Sequence, residues 1–152
     1  MEMKRFNTLA AIAFCLYLTA IGSLCFMRGD SLPSVMGTWF GIPADKIVHL
    51  LMFLPFIPLA FFTFSRERNS FGRNIVLMAA LMSVGVITAY TTELIQEKLS
   101  YRSYDLKDMA ADCIGLATGF AITFFRLIIK HISNRHLHEK ITCTHDPHTV
   151  VT

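Results

Sequence analysis

The sequence predicts an all-α fold, an integral membrane bundle of four transmembrane helices in one domain. Composition is the first observation: the 152 residues are 53% hydrophobic and only 16% charged, which is typical of a multi-span membrane protein. The second is the arrangement of apolar runs, which approach the roughly 20 residues that cross a bilayer core. The third is length, since a chain of this size suits one domain and not two.

Composition also argues against several function classes. The net charge is +3, and the scattered basic residues form no stripe with interleaved aromatics, so we expect no nucleic acid partner. The four cysteines form no CxxC or Cys/His zinc spacing, and core cysteines usually behave as small hydrophobic residues. The chain contains no Walker, GxSxG or HExxH motif, and we expect neither a cofactor nor a metal.

The first apolar run, from Thr8 to Met27, follows a short basic N-terminus. A cleaved signal peptide is the rival interpretation, but its apolar core would be shorter and no A-x-A-like site follows the run. Leu24 precedes Cys25 in place of a small residue, which disfavours a lipoprotein cleavage site. We therefore predict a retained first helix.

The second helix is predicted from Asp45 to Ser65, with Asp45 as its N-cap. Before it, residues 28–44 contain several glycines and prolines and form a loop that either lies along the membrane interface or simply connects two helices. Pro55 and Pro58 lie inside the second helix and predict a kink or a local break in its hydrogen bonding.

A polar turn from Arg66 to Arg73 precedes the third helix, predicted from Asn74 to about Lys98. The fourth helix is predicted from Asp105 to about His131, so residues 1–131 form the transmembrane domain. Residues 132–152 are polar and predict a disordered cytoplasmic tail. A metal-binding tail is the alternative, because it holds four histidines: His136, His138, His145 and His148.

The distribution of basic residues predicts the orientation. Nine Lys and Arg lie in the N-terminus, the 66–73 turn and the segment from Arg126 onward, against five on the other side. The positive-inside rule therefore places both termini in the cytoplasm, with the chain as a multi-pass protein of the cytoplasmic membrane. It follows that the polar ends of the second, third and fourth helices face outward.

Polar residues at those helix ends form the candidate site. They are Asp45, Lys46, His49, Glu93, Gln96, Arg102, Asp105, Asp108 and Asp112. Three of the aspartates are spaced i, i+3, i+7 and share one face of the fourth helix. Ionisable groups at membrane depth are costly unless they are paired or face water, and they commonly mark a functional site. The spacing predicts a small funnel that enters the bundle.

Two uses of this polar site stay open. A buried polar network could tie three helices together, or the same groups could bind a ligand or catalyse a reaction. We favour the functional use because the charges converge at one mouth. Gly115 and Gly119 give GxxxG spacing, which predicts close helix packing inside the bundle in preference to dimerisation.

The polar motifs resemble those of the VanZ-like family of small bacterial membrane proteins. The resemblance covers about Asp45 to Phe120 and rests on three ordered motifs. Where the family commonly has Asn, this chain has Asp112. The matching residues are Asp45, Lys46, His49 and Phe53 of DKIVHLLMF, Glu93 and Gln96 of ELIQ, and Arg102, Asp105, Asp108, Gly115 and Gly119 of RSYDLKDMAADCIGLATG.

The resemblance implies a protein of the bacterial cell envelope, since the family is named for a protein linked to low-level resistance to teicoplanin. We expect a binding or modulating protein whose partners are membrane lipids and a cell-wall precursor, lipid headgroup or glycopeptide. The alternative is an intramembrane enzyme that uses a metal-assisted or acid–base reaction on a lipid-linked substrate. A transporter is a third option, but the sequence shows no evident polar counterpart of the site on the inner side.

Overall fold

The structure, a computed structural model, consists of helices and one two-stranded hairpin. The helices and strands are α1 (Glu2–Phe26), β1 (Thr38–Trp39), β2 (Ile42–Pro43), α2 (Ala44–Phe53), α3 (Phe56–Phe64), α4 (Phe71–Lys98) and α5 (Leu106–Thr144). It describes residues 2–26, 38–39, 42–66, 70–98 and 106–144, and the side chains of residues 8–24, 43–66, 70–98 and 106–136.

Three of the predicted membrane spans are long and apolar enough to cross a bilayer: Ala44–Phe64, Phe71–Lys98 and Leu106–His136. The apolar part of α1, Thr8–Leu24, is shorter. The chain is therefore a helical membrane bundle, as its composition predicts. Within the predicted loop of residues 28–44, β1 and β2 pair antiparallel, with Trp39 opposite Ile42; the remainder of that loop lies outside the described residues.

The predicted interruption of the second span is confirmed. The span divides into α2 and α3 at Leu54 and Pro55, and Pro58 falls in the first turn of α3. A proline in the first turn costs little, because the backbone N–H groups there have no partner within the helix. The same missing N–H leaves the Leu54 carbonyl without its usual donor four residues ahead.

The predicted N-cap is wrong by two residues. Pro43 caps α2 in an extended conformation (φ −56°, ψ 135°) with no side-chain hydrogen bond, and Asp45 lies in the first turn. A proline before the first helical residue has its φ already fixed near the helical value, so it can start the helix without a capping side chain. Asp45 still favours this end, where its charge opposes the helix dipole.

α1 runs antiparallel to the α2–α3 span and packs on it through aromatic rings. Phe14 contacts Phe56 at 5.8 Å and Phe64 at 6.2 Å between ring centroids, both edge to face. The Tyr17 ring lies 6.5 Å from Phe56. Edge-to-face pairs of this kind add to the free energy gained by burial, so α1 is fixed against α3 by ring contacts.

α5 lies closest to α2 and α3 at two glycines. A Cβ atom at Gly115 would overlap the Leu50 carbonyl oxygen, and one at Gly119 would overlap the Leu54 carbonyl oxygen. Only glycine permits such a backbone-to-backbone approach. The GxxxG pair thus presses α5 against the α2–α3 junction, and Leu116 between them is fully buried in the core.

α5 also continues beyond its predicted end. It runs to Thr144, whereas the sequence analysis ended it near His131 and treated residues 132–152 as disordered. The predicted end of this helix near His131 is wrong, because no glycine or proline interrupts the chain between Gly119 and Pro147 and an established helix continues until a residue stops it. Residues 145–152, with His145 and His148, lie outside the described part.

Candidate functional site

The candidate site lies where the start of α2, the end of α4 and the start of α5 meet. Lys46 is its central cation. Its Nζ donates to Oδ1 of Asp108 in a very short contact and lies 3.0 Å from Oδ2 of Asp45. The pair with Asp108 joins residues 62 positions apart in the sequence, so it ties α2 directly to α5.

His49 lies one turn deeper on α2 and faces two carboxylates of α5. Its Nδ1 is 3.0 Å from Oδ1 of Asp112, and its Nε2 is 3.7 Å from Oδ2 of Asp108. Each ring nitrogen can donate to a carboxylate when it carries a proton, so the direction of these contacts depends on the tautomer. The contact with Asp112 is a hydrogen bond, whereas the longer contact with Asp108 is an ion pair only when the ring is charged.

α4 contributes the third side of the site. Glu93 and Gln96 are buried on the face that α4 turns toward the bundle, and both Glu93 and Asp108 lie within electrostatic range of Asp112. Residues i and i+3 share one face of a helix, which explains why the E-x-x-Q spacing delivers both groups to the same place.

Burial increases steadily from the rim of the site to its floor. The side chain of Asp45 is 50% exposed, those of Lys46 and Asp108 are 14% and 15% exposed, and those of His49 and Asp112 are 7% and 1% exposed. Asp45 at the rim is half exposed to water, where charge is cheap, and the His49–Asp112 pair at the floor lies where charge is expensive. The exposure of the charged side chains thus falls with depth along α2 and α5.

Asp112 forms the floor. Within the described part of the chain, its Oδ2 atom is buried and makes no hydrogen bond. Such an oxygen costs free energy that a purely structural network would be expected to avoid. Glu93 Oε2 is buried in the same way, so Asp112 and Glu93 are the two positions in the described site that packing explains least.

Tyr17 of α1 belongs to the site and was missed by the sequence analysis. Its hydroxyl donates to the Met52 carbonyl oxygen at 2.5 Å and lies within electrostatic range of Asp112. The sequence did contain a signal for it, because Tyr17 is the one tyrosine in the first apolar run. Because a buried tyrosine hydroxyl usually needs a partner, its presence there indicated a polar neighbour.

The structure describes seven of the nine predicted site residues and brings six of them together, while the seventh, Gln96, is buried on the same helix as Glu93. Arg102 and Asp105 lie outside the described residues. Among the side chains that are described, no group of three or more His, Cys, Asp or Glu is placed to hold a metal ion. No family model, curated protein or solved structure matches this chain.

Proposed function

We propose that this protein is a VanZ-like membrane protein of the bacterial cell envelope whose polar site binds a cell-wall precursor, a lipid headgroup or a glycopeptide. The observation that carries the proposal is the ion pair between Lys46 and Asp108, with the His49–Asp112 hydrogen bond below it. These contacts join the DKIVH and DLKDMAAD motifs, and Glu93 of the ELIQ motif lies beside them. Three segments that are far apart in the sequence thus build one mouth.

The proposal includes a topology of four spans, with α1 as the fourth. The apolar part of α1, Thr8–Leu24, is about 25 Å long and lies at the lower limit of the helix length that crosses a bilayer core. The excess of Lys and Arg on the side of the termini favours a cytoplasmic location for both. The polar site would then open to the outer face of the cytoplasmic membrane, where cell-wall precursors are exposed.

The mixed charge of the site suits a zwitterionic or polyfunctional ligand. Lys46 offers an ammonium group to a phosphate or carboxylate, while Asp45 and Asp108 offer carboxylates to an amine. All three side chains lie at the partly exposed upper level of the site, so an incoming group can exchange with an existing ion pair. A teicoplanin-like glycopeptide, a peptide stem and a lipid headgroup all present such groups.

The test is teicoplanin susceptibility of a bacterial host that expresses the wild-type chain, Lys46→Gln or Glu93→Gln. Lys98→Gln is the matched control, because Lys98 is exposed at the same end of α4 and forms no part of the described site. Membrane levels are equalised by immunoblot, and each variant is checked for folding by its melting temperature in detergent.

Protection by the wild type and Lys98→Gln, with loss in both site variants, is the expected result. A wild type that gives no protection at equal expression contradicts the resistance function. If Lys46→Gln and Glu93→Gln lose protection only because they fail to fold, the polar residues serve as a structural network and the binding proposal is wrong.

The second candidate is an intramembrane enzyme that works by acid–base chemistry. The observation in its favour is the 3.0 Å contact between His49 Nδ1 and Asp112 Oδ1, since a carboxylate that orients an imidazole is the usual arrangement of a catalytic base and its positioning group. Asp112→Asn with ligand affinity retained and turnover lost favours this candidate, whereas loss of affinity favours binding.

A further inference from the structure

The end of the bundle opposite the polar site carries a group of exposed cations, which we call the basic end. Its described members are Arg66, Arg73, Arg126 and Lys130, all exposed. Arg66 follows the end of α3, Arg73 lies in the first turns of α4, and the other two lie one turn apart on α5. Three helices therefore bring their basic residues to the same end.

Aromatic contacts hold this part of α5 in place. The Arg126 guanidinium lies over the Phe62 ring, 5.2 Å from its centroid, and the His131 ring packs on Phe71 at 4.6 Å. A guanidinium over an aromatic ring gains a favourable cation–π interaction. This contact restrains the Arg126 side chain, and restraint before binding lowers the entropy lost when a ligand binds.

The basic end has few acidic neighbours in the sequence. No Asp or Glu occurs between Asp112 and Glu139, and Glu67 is the one acidic residue between Asp45 and Glu93. The described side chains of this end, residues 56–66, 70–80 and 120–136, include no carboxylate. Among the described side chains, the charges of this end are therefore all positive, in contrast to the mixed charges of the polar site.

The basic end also lies at the depth of lipid headgroups. Arg126 comes 20 residues after Leu106, at about 30 Å along α5, which equals the thickness of a bilayer core. Phe62 lies at the level of Arg126, and Phe71 lies against His131, about 7 Å further along α5; aromatic rings typically mark the membrane interface. Lys130 projects one turn beyond Arg126, about 6 Å outward. Phosphate groups of lipids occupy this layer.

We propose that the basic end is a binding surface for anionic phospholipid headgroups, with Arg126 and Lys130 on α5 and Arg66 beside them as the phosphate contacts. Guanidinium groups bind phosphate oxygens in pairs, and clustered Lys and Arg next to a membrane span attract anionic lipid. The ligand is a phospholipid and not free phosphate, because its acyl chains lie along the apolar faces of α3 and α5 while its phosphate meets the cations. This surface is separate from the polar site and does not depend on the function proposed there.

The experiment uses the full-length protein in nanodiscs of phosphatidylcholine mixed with phosphatidylglycerol, followed by native mass spectrometry of the lipids that remain bound. The test variant is Arg126→Gln/Lys130→Gln. Its control is Lys98→Gln/Lys107→Gln, which removes the same two charges from exposed positions at the opposite end. Arg66→Gln/Lys130→Gln is a second test variant that leaves the Arg126–Phe62 contact intact.

We expect both basic-end variants to lower the ratio of retained phosphatidylglycerol to retained phosphatidylcholine by roughly ten-fold. The reason is that each cation near a membrane surface contributes to the binding of anionic lipid. The control should change it by less than about two-fold. Added glycerol phosphate should not displace the lipid. Equal loss in test and control variants, no loss in either test variant, or displacement by glycerol phosphate would each overturn the proposal.

Discussion

The two ends of this bundle both concentrate charge and treat it in opposite ways. At the polar end, Lys46, His49, Asp108 and Asp112 face one another across α2 and α5 and are largely buried. At the basic end, Arg66, Arg126 and Lys130 are exposed, and Arg126 rests on an aromatic ring. At the polar end the charged groups form contacts between helices, whereas at the basic end they are exposed to the surroundings.

The difference teaches which substitutions the bundle should tolerate. A buried charge depends on its partner, because removal of one member leaves the other in a medium of low dielectric constant. An exposed charge is hydrated whether or not a partner is present, and its deletion costs little free energy. Charge substitutions should therefore destabilise the polar end and spare the basic end.

The largest effect is expected for Asp112→Ala. It removes the carboxylate that is bonded to His49 on the floor of the site, where the Asp112 side chain is 1% exposed. Loss of one partner from a buried pair typically costs about 3 to 5 kcal/mol of unfolding free energy. The measurement is reversible unfolding in mixed micelles, followed by circular dichroism.

Asp45→Ala is the matched control, since it removes a carboxylate from the rim, where half of the side chain is exposed. It should cost less than about 1 kcal/mol. Similar costs for the two variants would show that burial does not distinguish rim from floor. An Asp112→Ala protein more stable than the wild type would indicate that this carboxylate is retained for function at the expense of stability.

Much of this architecture could be predicted from the sequence. Apolar run lengths gave the spans, and Pro55 with Pro58 gave the break between α2 and α3, because these signals act locally along the chain. The end of α5 near Thr144 could not be predicted from apolar length, since a helix can leave the membrane without stopping. The start of α2 was misplaced for a similar reason: Pro43 fixes its own φ, so no capping side chain is required at Asp45.

The site was predictable in its members and less so in its pairings. Helical spacing placed Asp108 and Asp112 on one face of α5, but it did not indicate that His49 would form its hydrogen bond with Asp112. This pairing depends on the axial position of α5 relative to α2. Close contacts of Gly115 and Gly119 with the Leu50 and Leu54 carbonyl oxygens determine that position. Tyr17 was missed because a contact from α1 has no periodic signature in the sequence.

A smaller effect is expected for Gly115→Ala, which tests whether close helix contact supports the polar end. Its new Cβ would overlap the Leu50 carbonyl oxygen, so α5 must move away from α2. Overpacking of this kind typically costs about 1 to 3 kcal/mol. Thermal unfolding in detergent should show a lower melting temperature, and Lys46 and Asp108 should couple less strongly in a double-mutant cycle made in this background.

Gly72→Ala provides the control from the basic end. A Cβ atom at Gly72 would meet no atom within 4 Å, and alanine is the better helix former by about 1 kcal/mol. The melting temperature should therefore stay the same or rise. A fall as large as that of Gly115→Ala would mean that the losses reflect glycine replacement in general and not helix contact.

The smallest effect on stability is expected for Arg126→Gln. Its guanidinium interacts with the Phe62 ring at 5.2 Å, and cation–π contacts at exposed positions contribute about 0.5 to 1 kcal/mol. The substitution should lower the unfolding free energy by no more than that in neutral detergent, as measured by the same micelle titration used for Asp112→Ala.

Phe62→Leu tests whether this small loss of unfolding free energy comes from the cation–π contact or from another contribution of the Arg126 side chain. It removes the ring face and keeps an apolar side chain, so Arg126→Gln should have almost no further effect in that background if the cation–π contact is its main contribution. A cost for Arg126→Gln near that of Asp112→Ala would mean that the guanidinium is structural and that both ends hold the helices together. A small cost would show that Arg126 contributes little to stability. Its position over Phe62 would then be explained by an interaction with a molecule outside the protein.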